Sequence, residues 1–164
     1  MASLKYGCLD PSPKTTEYPV AASQYFYHNG FPAVYLDSSG HVTTALTATA
    51  TLFGYAIVPG GRGAGTSDDY WLSSATAGAD KIPVILASDG YRFLAPGIIT
   101  CTEAMLGGAW DIIAVNDGSL THVDLDTSST DVVIAVKRGV DVKADAAATD
   151  VVVIFNPAKI QADT

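Results

Sequence analysis

The chain predicts an all-β fold, a single-domain β-sandwich or β-barrel of about ten strands, on three observations. Its acidic residues are fifteen Asp and only two Glu, and Lys and Arg together number nine, so straight-chain helix formers are scarce. Thr, Val, Asp and Gly are abundant, which suits strands joined by turns. Short apolar runs, bounded by Gly, Asn, Asp and Pro, recur roughly every 8–12 residues, the spacing of a sandwich or barrel. A length of 164 residues, 48% of them hydrophobic and 16% charged, describes one globular domain. Such a chain can bury roughly 70% of its unfolded surface in one core.

Residues 1–22 read as an extended N-terminal arm preceding a β domain over 23–164. Prolines at 11, 13 and 19 argue against a regular ladder there. The arm is either a disordered tail or a segment that orders on a neighbour. Ser23–His28 is an aromatic strand in which Tyr25 and Tyr27 face one way and Phe26 the other. Asn29-Gly30 follows as a hairpin turn into Phe31–Leu36, and Asp37–Gly40 is a second turn. Thr49–Val58 is a longer strand with Gly54 inside it, the mark of a bulge. Residues 59–79 read as an irregular segment.

Lys81–Pro96 is the clearest local structure, and the rest of the chain is organised around it. Ile82–Ala87 is an apolar strand, Ser88-Asp89-Gly90 a tight turn, and Tyr91–Leu94 a second strand stopped by Pro96. Asp-Gly between two apolar runs predicts a hairpin, because glycine accepts the positive φ that a primed turn requires. Thr100-Cys-Thr-Glu103 fits a capping box, so one short helical turn is expected near 101–106, ended by Gly107-Gly108. Strands follow at Ala109–Val115, Leu120–Leu125, Asp131–Arg138 and Val151–Phe155, with turns at Asn116–Ser119 and 127–130, a continuation or bend at 139–143, and a loop at 145–149.

The net charge of −8 argues against a nucleic-acid surface, which needs clustered Lys and Arg. No apolar run approaches the length of a membrane span, and no signal-peptide h-region precedes residue 20, so cytoplasmic synthesis is the default expectation. Two cysteines, Cys8 and Cys101, make no disulfide framework; reduced thiols are expected, with Cys101 buried.

Gly60–Ser67 has the G-x-x-x-x-G of a phosphate loop, yet lacks its lysine and runs into Asp68-Asp69, which would repel phosphate; it reads as a mobile loop. Asp68, Asp69, Asp80 and Asp89 match no calcium-loop spacing and read as turn residues. His122, Asp124 and Asp126 alternate along one strand, but one histidine is thin support for a metal. No nucleophile carries a motif, so neither a catalytic residue, a metal nor a cofactor is assigned, and the residues make no positive case for an enzyme. Candidate interface residues are Pro11, Pro13 and Tyr18 on the arm, Tyr25 and Tyr27, Trp71, and Tyr91 with Arg92 at the 81–96 turn. Trp71 beside Asp68, Asp69 and Tyr70 is the one cluster suited to carbohydrate.

Three stretches taken together, GADKIPVILASDGYRFLAPG (78–97), TCTEAMLGGAWDI (100–112) and DVVIAVKRGVDVKADAAATDVVVIFNPAKIQ (131–161), resemble small head decoration, or capsid cement, proteins of tailed bacteriophages. The likeness lies in β patterning and phrase order over about the last ninety residues. It implies a structural virion protein that is made in the host cytoplasm and binds the outside of an expanded shell. The major capsid protein would be its partner, and a homo-oligomer, a trimer by preference, its form. A head-fibre, tail or baseplate module, or a carbohydrate-binding domain, is the alternative.

Overall fold

The computed structural model describes residues 6–59, 70–115 and 120–162, and over these the fold is all-β. In chain order the strands are β1 (Gly7–Cys8), β2 (Thr16–Pro19), β3 (Tyr25–Tyr27), β4 (Ala33–Leu36), β5 (Val42–Thr44) and β6 (Gly54–Ala56). Then come β7 (Tyr70–Leu72), β8 (Lys81–Leu86), β9 (Phe93–Ala95), β10 (Ala109–Val115), β11 (Leu120–Asp124), β12 (Val133–Arg138) and β13 (Val151–Phe155). Single 3₁₀ turns lie at Ala87–Asp89, Glu103–Met105, Gly139–Asp141 and Pro157–Lys159. Among the described residues no helix is long and apolar enough to cross a membrane.

The strands form a six-stranded sheet ordered β1-β9-β13-β12-β10-β11, a five-stranded sheet ordered β2-β8-β6-β4-β5, and a β3-β7 ribbon. Both larger sheets curl. Val20, just past β2, bridges Val42 of β5, and Val123 of β11 bridges Gly97, just past β9. Both faces of the five-stranded sheet are covered. Ala33, Tyr55 and Ile85 pack with Phe93, Ile112, Val133, Val153 and Phe155 of the six-stranded sheet. Val34, Ala56 and Val84, alternating with the first set, pack with Phe26 of the ribbon. A strand covered on both faces must be apolar at consecutive positions, which is why PVIL and FGYA show no polar alternation. Tyr55 stacks on Phe93 at 4.5 Å and joins the two sheets.

The hairpin expected at Lys81–Pro96 does not form. β8 belongs to the five-stranded sheet and β9 to the six-stranded one, and the 3₁₀ turn at Ala87–Asp89 carries the chain between them. Gly90 does adopt the left-handed φ that the Asp-Gly pair signals, 72°. The turn is therefore a corner between sheets. The Asn29-Gly30 hairpin is likewise absent: β3 pairs β7 and β4 pairs β5 and β6. Gly30 serves close approach instead, since a Cβ there would lie 2.7 Å from Leu120 Cδ1.

Gly54 marks no bulge. It stays in register between Val34 and Leu86, and a Cβ on it would meet the Ile85 carbonyl oxygen at 2.4 Å. The register shift falls at Ala135–Lys137 instead, in β12. The short helical turn is present at Glu103–Met105, but Thr102 precedes it without a side-chain cap, so the capping box is not made. The Asp37–Gly40 turn is a true hairpin: Asp37 Oδ1 accepts from the backbone N–H of Ser39 and of His41, and Gly40 has φ 77°. Residues 59–79 are not wholly irregular, because Tyr70–Leu72 is a strand; the Gly60–Ser67 loop, Asp68-Asp69 and the Asn116–Ser119 turn lie outside the described residues. Both cysteines are free and Cys101 is buried, as the sequence suggests.

Candidate interaction surface

The sequence-predicted interface residues fall into two groups in space. The first joins Pro11 and Pro13 to Tyr91 and Arg92. The N-terminal segment runs antiparallel to 81–95 across the corner, β1 on β9 and β2 on β8, with Gly7 opposite Leu94 and Thr16 opposite Val84. Between the two short ladders it bends away from the corner, and polar contacts span the gap. Leu9 N–H donates to the Arg92 carbonyl at 2.9 Å, Arg92 N–H to Asp10 Oδ2 at 2.7 Å, and Lys14 N–H to the Tyr91 hydroxyl at 3.1 Å. The Arg92 guanidinium adds a 3.0 Å contact to Asp10 Oδ1.

The prolines thus do not keep this segment out of a ladder. Pro11 and Pro13 sit in the unpaired bend, and Pro19 is the last residue of an edge strand, where a missing N–H costs least. The Arg92 amide, and then its guanidinium, hold the Asp10 carboxyl below its usual range. Burial pushes the Cys8 thiol up, partly offset by a backbone hydrogen bond with Asp10. Tyr18 sits on β2 with its ring 5.0 Å from Phe53, edge to face, so its aromatic face is spent on the core.

The second group is the β3-β7 ribbon. Its inward face carries Phe26 and Trp71, ring centroids 5.8 Å apart, and Phe26 is fully buried. Its other face pairs Tyr25 with Leu72 and Tyr27 with Tyr70. The alternation read from the sequence holds, but Tyr25 and Tyr27 are no exposed pair: Tyr25 is 37% exposed and Tyr27 only 7%. Tyr70 lies between them, 5.2 Å from Tyr25 and 5.4 Å from Tyr27. Leu72, 43% exposed, takes the outward place expected of Tyr27. Trp71 turns toward Phe26, and the Asp68-Asp69 half of its carbohydrate cluster lies outside the described residues. A shallow recess lined by Ser23, Gln24, Tyr25, Thr44 and Leu46 adjoins the exposed Tyr25 edge.

Leu46, Leu72 and Asp10 carried no recognisable signal in the sequence. Leu72 belongs to a strand hidden after a Gly-rich run, and Leu46 and Asp10 matter only through what the fold lays beside them.

Among the described residues no three His, Cys, Asp or Glu side chains converge as a metal-ligand set. Asp80 accepts from Ser74 N–H and Asp124 from Asp126 N–H, both turn bonds. Burial lowers the His122 pKa, and the charge of Asp150 opposes it. Asp111 does structural work: its Oδ1 accepts the backbone N–H of Ser129, Thr130 and Asp131 at 2.9, 2.7 and 2.8 Å. Burial alone would raise its pKa, but these amides outweigh it and hold the carboxyl below the usual range. Comparison with family models, with curated proteins and with solved structures returns no match to this chain.

Proposed function

We propose that this protein is a structural virion component, a decoration protein that binds the outer surface of a tailed-phage capsid and braces its major capsid protein. The observation that carries the reading is where the resembling stretches lie. Residues 78–97, 100–112 and 131–161 supply β8, the corner, β9, the first half of β10, β12 and β13, and so much of the six-stranded sheet with its neighbouring strand. The likeness therefore falls on one packed unit rather than on scattered loops. The exposed Tyr25–Leu72 edge and the clasped N-terminal segment add a surface suited to protein contact. Bracing of this kind works by many copies, each burying modest area, with avidity multiplying weak contacts.

The test mixes the purified protein with emptied, expanded phage capsids and measures sedimentation and bound copy number. Saturation at a fixed multiple of shell subunits is expected. Absence of co-sedimentation with a cognate shell overturns the reading.

A further inference from the structure

The chain has three asparagines, Asn29, Asn116 and Asn156, and the fold treats the two described ones in opposite ways. Asn156 is pinned: its Oδ1 accepts from Ala158 N–H at 3.1 Å and its Nδ2 donates to the Asp131 carbonyl at 2.7 Å. Pro157 follows it and has no N–H. Asn29 lies exposed in the turn after β3, and its side chain makes no hydrogen bond among the described residues. Gly30 follows it, and the Gly30 N–H likewise donates to no described group. Packing requires that glycine, since a Cβ at 30 would lie 2.7 Å from Leu120 Cδ1 and 3.0 Å from the Thr121 carbonyl oxygen. With it comes a peptide nitrogen that no side chain screens. A small hollow lined by Tyr27, Gly30, Phe31 and Thr121 adjoins the turn and leaves this peptide room to rotate.

We infer that Asn29 is a site of spontaneous covalent modification in the folded protein, converting to aspartate and isoaspartate through a cyclic imide. The Gly30 nitrogen gives its proton to solvent base and attacks Asn29 Cγ. The N–Cγ bond forms, the Cγ–Nδ2 bond breaks, and ammonia leaves. Water then opens the imide. Attack at Cγ yields aspartate, and attack at the Asn29 backbone carbonyl carbon yields isoaspartate, in which the chain runs through Cγ. Nothing is oxidised or reduced, and water is the co-reactant. Either product adds a carboxylate to a chain already at net charge −8. Isoaspartate also lengthens the main chain by a methylene beside a tightly held residue. Phe31, next in the chain, donates its N–H to the Thr121 carbonyl at 2.7 Å and packs against Tyr55 and Phe155 in the core. Isoaspartate therefore strains the join between this turn and β11, whereas aspartate leaves the backbone path unchanged.

The inference does not depend on the capsid reading, and its test needs only the full chain, aged in mildly alkaline buffer. Peptide mapping by mass spectrometry separates the asparagine, aspartate and isoaspartate forms and follows residues 29, 116 and 156 side by side. Conversion at 29 is expected at a rate within about thirtyfold of that in concentrated urea, because opening this turn needs no global unfolding. A turn locked until the whole domain unfolds would instead be slowed by about a thousandfold or more. Asn156 should stay intact over the same period. The rate at 29 should rise with pH, since the attacking nitrogen must lose its proton, and Asn29→Gln, which would need a larger ring, should stop the reaction. The converted fraction, isolated by anion exchange, contains isoaspartate and should unfold at lower urea than Asn29→Asp, which carries the same charge without the extra methylene. Protection of Asn29 beyond thirtyfold overturns the inference, as does conversion at Asn156 at an equal rate. Equal urea midpoints for the converted chain and Asn29→Asp would overturn the strain at the β11 join.

Discussion

Asp10 accepts the Arg92 backbone N–H on Oδ2 at 2.7 Å and its guanidinium Nη2 on Oδ1 at 3.0 Å. One carboxylate thereby ties the N-terminal segment to the corner that joins the two sheets. The Arg92 side chain is half exposed, so the ion pair itself is screened, and Asp10→Ala should cost only about 0.5–1 kcal/mol of global stability. Its local effect should be larger: hydrogen-exchange protection of the Arg92 amide is expected to fall several-fold while the β13 amides are untouched. Equal loss of protection in both places would mean that the clasp is part of the global core.

The same pair sets a pH dependence. Asp10 titrates below its ordinary value of 3.8 because the Arg92 amide and guanidinium favour the carboxylate. A depressed carboxyl contributes stability that is fully present above the unfolded pKa and is lost as pH falls through the folded one. Arg92 amide protection should therefore hold at neutral pH and drop only on acidification below 3.8. In Asp10→Asn that acid-dependent step should be absent.

Asp111 makes a second, stronger test of carboxylate geometry. Its Oδ1 collects three successive amides of the 129–131 turn, where Asp131 holds φ 55°. Asp111→Ala strands those amides and should cost about 2–3 kcal/mol in denaturant unfolding. Asp111→Asn keeps an acceptor oxygen in place and should cost less, about 1 kcal/mol. Equal costs would show that a neutral side chain of the same shape does not hold the turn, and that the carboxylate charge does.

Gly54 tests the packing of the middle sheet. An added methyl group would sit 2.4 Å from the Ile85 carbonyl oxygen and 2.5 Å from Val84 Cγ1. β8 cannot retreat easily, since it is paired on both sides, with β2 and β6. Gly54→Ala should destabilise by about 3 kcal/mol, toward the upper end for overpacking. Gly40→Ala, in open space at φ 77°, should cost only about 1 kcal/mol, from backbone strain alone. The comparison is made by urea midpoints at constant slope.

Local patterning was legible and pairing was not, for a physical reason visible at particular residues. β10 and β13 run over Ala109–Val115 and Val151–Phe155, as the apolar runs bounded by turn residues indicate. The Asp37–Gly40 hairpin follows from side-chain bonds within five residues. Asp89-Gly90 also specifies its own backbone, but which sheet each flanking strand joins depends on Tyr55, Phe93 and Phe155, which meet only in the folded core. Tyr25 and Tyr27 show the same division at the interaction face. Alternation put them on one side of the strand, whereas their exposure depends on what the rest of the fold lays over that side. β7 escaped notice because three residues, Tyr70–Leu72, are too few to show a period.

Truncation from the N-terminus separates clasp from scaffold. Removing residues 1–15 takes away β1 and the Asp10 contacts but leaves β2 paired to β8 and Val20 bridged to Val42. That variant should stay folded with a modest loss of stability, and it is the proper variant for asking whether the arm contributes to capsid binding. Removing residues 1–20 also strips β2 from the edge of β8 and takes out Val20, which is 1% exposed in the second core cluster. Loss of that side chain alone costs about 1.5–3 kcal/mol of burial, and the bare β8 edge becomes a site for pairing between chains. The longer truncation should therefore unfold at markedly lower urea and elute as aggregate in size-exclusion chromatography, while the shorter one elutes as the intact chain does. If both truncations match the full chain in midpoint and elution, the N-terminal segment is no part of either sheet in solution.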